Sequence, residues 1–357
     1  MAQSLPPARR GAAMALGAAV LFGLSTPLTK LLIGSTNIFL LAGLLYLGAG
    51  LGLGCWQLLR TGAGRDAKTG RDRIDRAELG WLAAAVVVGG IVAPVLLLLG
   101  LRHTDASAAA LLLNLEGLFS AVLAALAFGE FLGRRIVLGM AAIAAGALLL
   151  AWTGSVSLAF SGGALAIAGA CLGWALDNNL TRQVATLDAL QIVTVKGCVA
   201  GAVNLAIGLV LGATWPAAGV VVGVGVIGLF GYGVSLLLFV WALREIGTAR
   251  TSAYFSAAPF IGAGVAVVLF GDPLTWKLAV ATSLMGFGVW LHLSERHSHE
   301  HQHEPMTHTH RHWHDEHHQH AHGPGDPPGE PHRHQHVHLP LRHAHPHYPD
   351  LHHRHGH

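Results

Sequence analysis

Residues 101–130, LRHTDASAAALLLNLEGLFSAVLAALAFGE, contain the pattern that decides the fold. Between Asp105 and Glu130 this stretch is almost entirely apolar and carries a single ionisable residue, Glu116. A helix needs about 20 apolar residues to cross the hydrocarbon core of a bilayer. The stretch therefore predicts a membrane-spanning helix that follows a short polar turn.

Runs of the same kind recur through the first 293 residues and predict an all-α membrane protein with ten transmembrane helices. The whole chain of 357 residues is 52% hydrophobic and only 11% charged, whereas an ordinary soluble protein is about a quarter charged. This composition excludes a nucleic-acid-binding protein and argues against a soluble enzyme. The predicted spans are Gly11–Ile33, Ile38–Leu59, Leu79–Leu101, Ala106–Phe128, Ile136–Trp152, Gly163–Gln183, Ala189–Gly212, Ala217–Leu243, Ser252–Phe270 and Trp276–Leu293.

Basic residues in the short loops predict the orientation of the chain, because such residues stay on the cytoplasmic side. With the N-terminus inside, fourteen Lys and Arg residues fall on the cytoplasmic side and two, Arg102 and Lys277, fall outside. We therefore expect a multi-pass protein of the inner (plasma) membrane with both termini in the cytoplasm.

The second half of the sequence repeats features of the first. Residues 243–272, LREIGTARTSAYFSAAPFIGAGVAVVLFGD, match the opening stretch at its Leu-Arg start and at its Phe-Gly-acidic end, with a constant offset of 142 residues. Since five spans per repeat is an odd number, the second repeat must enter the membrane inverted, as in many secondary transporters. We predict a first repeat at 11–152, a second repeat at 163–293 and a tail at 294–357.

Three motifs give the chain a family resemblance: Gly23-Leu24-Ser25-Thr26-Pro27, the stretch Thr104–Ala110 leading into Leu118-Phe119-Ser120, and Phe128-Gly129-Glu130 with its echo. With these motifs the chain resembles an EamA-type member of the drug/metabolite transporter superfamily. The resemblance implies a carrier of small metabolites in the inner membrane, mostly an exporter, with no catalytic residue and no required cofactor.

Ionisable residues inside predicted spans are the first candidates for the solute pathway or for ion coupling, because such residues are costly in a membrane. Glu116 lies near the middle of the fourth span and could bind a cation or a proton, or hydrogen-bond between helices. Asp177 and Asn178 either line a polar cavity or take part in a structural ion pair. Lys196 could neutralise Asp177 or Glu116, bind an anionic solute, or extend its ammonium to the interface.

Four further residues complete the candidate pathway. Asn114 precedes Glu116 on the fourth span, and Pro259 breaks the ninth span and leaves a backbone carbonyl without its helical partner. Trp174 and Tyr232 either line the pathway or pack between helices.

The last part of the chain is rich in histidine, with 23 of the 25 histidines between His297 and His357. Its few apolar residues predict a disordered cytoplasmic tail. Imidazole is a common ligand of Ni, Zn and Co, although a solubilising tail or a pH-dependent contact with anionic lipid would also fit. The candidate ligands are His297, His299, His301, His303, His308, His310, His312, His314, His332, His334, His336 and His338.

The leading hypothesis is that the protein is a secondary transporter that exports a small metabolite or drug-like solute. Its histidine-rich tail would bind metal. The absence of a phosphate-binding loop argues against an ATP-driven pump. Two alternatives stay open: a carrier of Ni, Co or Zn, and a membrane-anchored sensor of metal or pH. The expected partners are the solute, the lipid bilayer and transition-metal ions, with no nucleic acid, and a homodimer is left open.

Overall fold

The computed structural model describes residues 7–34, 36–62, 76–128, 133–152, 161–182, 189–294, 298–302, 306–312, 332–338 and 342–346. The chain divides into two compact units, Met1–Ser294 and Glu295–His357. Among the described residues of the first unit, the regular elements are helices. This agrees with the all-α prediction for that part of the chain.

The first half of the helical unit contains seven α-helices and one π-helical segment. The π-segment, here π1, interrupts the third predicted span. The elements are α1 (Pro7–Ile33), α2 (Ile38–Gly62), α3 (Arg76–Ala85), π1 (Val86–Val92), α4 (Ala93–Arg102), α5 (Ala106–Leu112), α6 (Leu115–Phe128) and α7 (Arg134–Ala151).

The second half contains six α-helices and a second π-segment, π2. The elements are α8 (Gly162–Arg182), α9 (Ala189–Val210), α10 (Ala218–Ile227), π2 (Gly228–Val234), α11 (Ser235–Phe255), α12 (Ala258–Phe270) and α13 (Trp276–Ser294). Helix α11 runs through the short polar break predicted between Leu243 and Ser252. That break contains no proline, and Gly247 alone does not end the helix.

Eight described helical stretches are long and apolar enough to cross a membrane. They correspond to the predicted spans one to five and seven to nine. The other two predicted spans are the helices α8 and α13, which do not meet the same standard of length and apolarity. In α8 the cause is its polar end, where Asp177, Asn178 and Asn179 follow one another.

The two π-segments have the same spacing as the sequence matches between the two halves. They begin at Val86 and Gly228, which are 142 residues apart, and both contain seven residues. In each, the residue that follows donates its N–H to a carbonyl five residues back. The ends of α6 and α12, at Phe128 and Phe270, have the same offset.

The helices of one half pack against those of the other. Helix α1 contacts α11, π2 and α12, and α2 contacts π2, α9 and α10. In the complementary arrangement, α8 contacts α4, π1 and α6, and α9 contacts π1. Each π-segment is therefore covered by the first two helices of the opposite half, and α2 also bridges the two halves through α9.

The contact between α2 and α9 brings their backbones close together at several glycines. A Cβ added to Gly197 would lie 2.7 Å from the Cα of Gly50, and one added to Gly43 would lie 2.8 Å from the backbone nitrogen of Leu205. Only glycine permits such an approach, as small residues commonly do between membrane helices.

The described parts of the second unit form short strands, so the prediction of a disordered tail is not confirmed. The strands are β1 (Ser298–Gln302), β2 (Met306–His312), β3 (His332–His338) and β4 (Arg342–Pro346). Strand β1 pairs with β4 and β2 with β3, both antiparallel. The physical reason is that alternating histidines have the two-residue period of a strand, and pairing satisfies the backbone hydrogen bonds that an isolated segment leaves open.

Candidate functional site

The site is built around π1, where Pro94 removes one helical donor because proline has no N–H. In an α-helical pattern the N–H at position 94 would donate to the carbonyl of Gly90, and in a π-helical pattern to that of Gly89. One of these two carbonyls therefore lacks its helical donor, and both accept hydrogen bonds from side chains of other helices.

Side chains from three other helices donate to these carbonyls. The hydroxyl of Tyr46 on α2 donates to the carbonyl of Gly89 at 2.8 Å, and the indole Nε1 of Trp174 on α8 donates to the same oxygen at 3.0 Å. The amide of Asn204 on α9 donates to the carbonyl of Gly90 at 3.2 Å. We call these five residues, Tyr46, Gly89, Gly90, Trp174 and Asn204, the π1 cluster.

A buried ion pair lies against the π1 cluster. The Nζ of Lys196 is 2.6 Å from both carboxylate oxygens of Asp177, and their side chains are 17% and 9% exposed. The hydroxyl of Thr181, one turn further along α8, donates to Asp177 Oδ1 at 3.0 Å. A Cβ on Gly89 would collide with the Asp177 carboxylate, so the π-segment and the ion pair are in direct contact.

Glu116 and Asn178 form a second polar contact, between α6 and α8. The amide of Asn178 donates to Glu116 Oε1 at 2.9 Å. Asn178 is exposed and Glu116 is half-buried, and a Cβ on the neighbouring Gly117 would meet no atom within 4 Å. The Glu116 carboxylate is therefore partly buried between α6 and α8, with an exposed amide as its partner.

The other predicted pathway residues lie near this region but outside the ion pair. Asn114 is buried in the turn between α5 and α6, donates to the carbonyl of Leu111 at 2.8 Å and contacts the sulfur of Met285 at 3.9 Å. Tyr232 lies on π2 with its ring centroid 5.9 Å from that of Tyr46. Pro259 lies in the first turn of α12, directly after the break between α11 and α12.

Sequence reasoning assembled part of this site and missed the rest. It named Trp174, Asp177 and Lys196, which the structure brings together, but it did not identify Tyr46, Pro94 or Thr181. The pair of glycines four and five residues before Pro94, in an otherwise apolar span, is the signal that could have identified Pro94.

Three polar contacts tie the elements together at the end of the bundle where α4 meets α5. Lys30 donates to the carbonyl of Thr104 and lies 6.0 Å from the centre of the Phe270 ring. Arg102 donates to the carbonyl of Thr36 at 3.0 Å. The N–H of Ser107, in the first turn of α5, donates to the carboxylate of Asp272 at 2.8 Å, which links the two halves of the helical unit.

The predicted metal ligands fall into two groups. His297, His303 and His314 lie outside the described residues, and the other nine lie on β1, β2 and β3. The antiparallel registers place histidine opposite histidine: His299 and His345, His301 and His343, His308 and His336, His310 and His334, and His312 and His332. Among the residues whose side chains are described, which excludes the tail, no group of three or more His, Cys, Asp or Glu could hold a metal ion.

Comparison with known proteins gives one family and two similar transporters. The model of the EamA-like transporter family matches residues 9–152 and again residues 161–294. An uncharacterized transporter of Methanothermobacter thermautotrophicus is 30% identical over 288 residues, covering 77% of this chain and 83% of that protein. The uncharacterized transporter YyaM of Bacillus subtilis is 27% identical over 229 residues, covering 60% and 75%.

A solved crystal structure of a protein also has a similar fold. It superposes with a TM-score of 0.57 at 20% sequence identity, and the match covers 79% of this chain and 97% of that one. At this identity the likeness concerns the fold alone.

Proposed function

We propose that this chain is a secondary transporter that exports a small solute across the plasma membrane by alternating access. The chain belongs to the EamA-like transporter family and is thus a membrane transporter and not an enzyme. Two matches to one family model and two π-segments 142 residues apart support a two-repeat architecture. Five spans in each repeat would invert the second repeat relative to the first and leave both termini in the cytoplasm.

The observation that carries this proposal is the buried ion pair of Asp177 and Lys196 on the π1 cluster. Charged side chains inside a membrane are costly and mark substrate or ion pathways. Their position beside a non-α-helical segment fits the general design of secondary transporters, whose sites lie at interrupted helices between repeats.

The cluster draws on both halves of the molecule, which is what alternating access requires. Tyr46 and the π1 carbonyls belong to the first half, whereas Trp174, Asp177, Lys196 and Asn204 belong to the second. A displacement of one half relative to the other changes the hydrogen bonds at this point, so solute binding here can favour one arrangement over the other.

Reconstitution tests the transport proposal. The purified chain is inserted into proteoliposomes, and the flux of a panel of small solutes is measured. We expect flux with the unmodified chain and little flux with the double variant Asp177→Asn/Lys196→Met, which removes both charges together. The matched control is Arg10→Gln/Glu245→Gln, which removes an ion pair whose members are 61% and 22% exposed. Full flux in the Asp177/Lys196 variant would show that the ion pair takes no part in the solute pathway.

We propose that Glu116, a partly buried carboxylate between α6 and α8, provides ion coupling by binding a proton. Glu116→Gln keeps the hydrogen-bonding shape of the side chain and removes its ionisation. We expect the pH dependence of flux to flatten in this variant and to persist in Glu245→Gln. An unchanged pH profile in Glu116→Gln would exclude Glu116 from coupling.

A second function, transition-metal binding by the tail, is supported by the paired registers of its strands. Residues directly opposite one another in an antiparallel pair have Cβ atoms about 5 Å apart, a spacing that lets two imidazoles share one Ni, Zn or Co ion. This binding would buffer or deliver metal in the cytoplasm.

Two double variants of the full chain test the pairing of histidines. His308→Asn/His336→Asn removes one opposite pair, whereas His308→Asn/His334→Asn removes the same number of histidines and interrupts two pairs. In titrations with Zn²⁺ or Ni²⁺ we expect the second variant to lose more bound metal. Equal losses would contradict the pairing, and no loss in either variant would contradict metal binding by these strands.

A further inference from the structure

The pairing of β2 with β3 places every histidine of these two strands on one face. The register runs from Met306 opposite His338 to His312 opposite His332. Alternate residues of a strand lie on the same face, and residues directly opposite one another share a face. Each of these histidines therefore lies on the same face as Met306, whereas the other face carries threonine, arginine, glutamine and valine.

Met306 gives one end of this face a donor that the rest of the face lacks. It is the single sulfur-containing residue between Glu295 and His357. In the register it lies opposite His338, and the next two residues on the same face are His308 and His336. We call these four residues the Met306 tetrad, which combines one thioether with three imidazoles.

The spacing of the Met306 tetrad suits a single metal ion. The Cβ atoms of opposite residues are about 5 Å apart, and neighbours on one face of a strand are about 7 Å apart. A metal–ligand bond is about 2 Å long. Methionine and histidine are long enough to bring four donor atoms from the corners of such a rectangle to a common centre.

The thioether decides which metal this set of donors prefers. Soft sulfur ligands such as methionine favour Cu(I), whereas imidazole alone serves Zn, Ni and divalent copper. Zinc takes thiolate, imidazole or carboxylate ligands, and Ca²⁺ and Mg²⁺ take oxygen ligands. The Met306 tetrad therefore differs in its chemistry from the pairs of histidines that make up the rest of the face.

The strands β1 and β4 provide an internal comparison. Their register places His299 opposite His345 and His301 opposite His343, again on one face. None of the described residues of β1 and β4 contains sulfur. The same arrangement of four positions thus offers four imidazoles in one sheet, and three imidazoles with a thioether in the other.

We infer that the Met306 tetrad is a Cu(I) site, in which the thioether of Met306 and the imidazoles of His308, His336 and His338 bind one ion. This inference rests on the proposed metal binding by the tail and adds a second class of ion, bound at one end of the histidine face. The other paired histidines serve Ni, Zn or Co.

Substitution of Met306 separates copper from the other metals. The full chain in lipid nanodiscs is titrated anaerobically with Cu(I), kept reduced by ascorbate, against the chromophoric chelator bicinchoninate. We expect Met306→Leu, which removes the thioether and keeps an apolar side chain, to weaken the tightest Cu(I) site at least about tenfold. Zn²⁺ binding should not change. Met14→Leu on α1 removes a sulfur outside the tail and should change neither affinity. An unchanged Cu(I) affinity in Met306→Leu would overturn the inference.

A second variant tests the register as well as the residue. Met306→Thr/Thr307→Met keeps the composition of the tail and moves the thioether by one position, to the other face of the strand. X-ray absorption at the copper edge reports whether sulfur is bound to copper. We expect a copper–sulfur contribution in the unmodified chain and its loss in the exchanged variant. A contribution that persists there would show that binding does not depend on the shared face and would overturn the inference.

Titrations with Zn²⁺ and Ni²⁺ distinguish failure of the copper site from failure of metal binding by the tail. A chain that binds Zn²⁺ or Ni²⁺ through its paired histidines, and whose Cu(I) affinity does not depend on Met306, would overturn the copper inference and leave the metal function standing. A chain whose tail binds none of the three ions would overturn the proposed metal function itself.

Discussion

The segments π1 and π2 have the same backbone geometry but differ in the residue that follows them and in the side chains that cover them. Each contains seven residues, and each is followed by a residue that donates its N–H five positions back. Position 94 is proline after π1, whereas the equivalent position 236 after π2 is leucine, which retains its N–H. Proline thus removes a helical donor directly after π1, whereas Leu236 retains that donor after π2.

The groups that cover the two segments also differ. Segment π1 is covered by Trp174, Asp177 and Asn204. Segment π2 is covered closely by backbone and small groups: a Cβ on Gly231 would lie 2.6 Å from the Cβ of Ser25, and one on Gly228 would lie 2.8 Å from the carbonyl carbon of Leu45. Polar side chains therefore reach the first segment, whereas backbone and small side chains approach the glycines of the second.

The largest effect is expected from removing one partner of the ion pair beside π1. Lys196→Met leaves Asp177 buried without its counter-charge, which costs about 3–5 kcal/mol. Thermal unfolding in nanodiscs measures the loss. The double variant Asp177→Asn/Lys196→Met should recover most of the stability, and Arg10→Gln should cost less than about 1 kcal/mol. A single variant as stable as the double would contradict the importance of the pair.

A smaller effect is expected from adding a methyl group to either segment. Gly89→Ala places a Cβ against the carboxylate of Asp177, and Gly231→Ala places one against Ser25. Both should destabilise by about 1–3 kcal/mol through overpacking. Only Gly89→Ala should also reduce transport, because it displaces the ion pair. Equal losses of flux in the two variants would contradict the division between the segments.

Removing one donor to the π1 carbonyls should have a modest effect. Trp174→Phe deletes the Nε1 donor to Gly89, and Tyr46→Phe deletes the hydroxyl donor. Hydrogen bonds between membrane helices average about 0.6 kcal/mol, with values up to about 1.7. Tyr254→Phe on α11, at a tyrosine that is 38% exposed, is the control and should cost less. Tyr232 on π2 does not serve as the control, because it shares a hydrogen bond with Ser25. Unfolding free energies that rank Tyr254→Phe above both others would contradict the contribution of these two donors.

The smallest and most specific effect should come from making π1 resemble π2. Pro94→Leu restores the N–H that position 236 retains, so Tyr46 and Trp174 become partly redundant as donors. In a double-mutant cycle, Pro94→Leu and Tyr46→Phe should show a coupling of about 0.5 kcal/mol or more. Additive effects would mean that Pro94 does not create the acceptors that Tyr46 and Trp174 satisfy.

The sequence predicted the helices well because each apolar run is long and is bounded by polar residues. Their interruptions could be predicted only in part: Pro259 indicated the break before α12, but Leu113 and Asn114 carry no such signal and still separate α5 from α6. The partners of Lys196 could be narrowed to Asp177 or Glu116 from the sequence, since both are acidic residues within spans. The choice of Asp177 depends on how α8 and α9 pack, and no local pattern encodes that packing.

The contribution of Tyr46 was beyond sequence reasoning for a different reason. Aromatic residues in spans usually serve packing, and the acceptor of Tyr46 is a backbone carbonyl 43 residues away. A backbone carbonyl that accepts from a side chain cannot be recognised from residue types, because every residue has one. Gly89, Gly90 and Pro94 indicate such an acceptor only indirectly, once the hydrogen-bonding pattern of the helix is known.

The glycine contact between α2 and α9 has a mechanical consequence. A side chain at Gly43, Gly50 or Gly197 would collide with the backbone of the facing helix and force the two axes apart. At these three positions the separation of α2 and α9 is therefore limited by the main chain and not by side-chain volume.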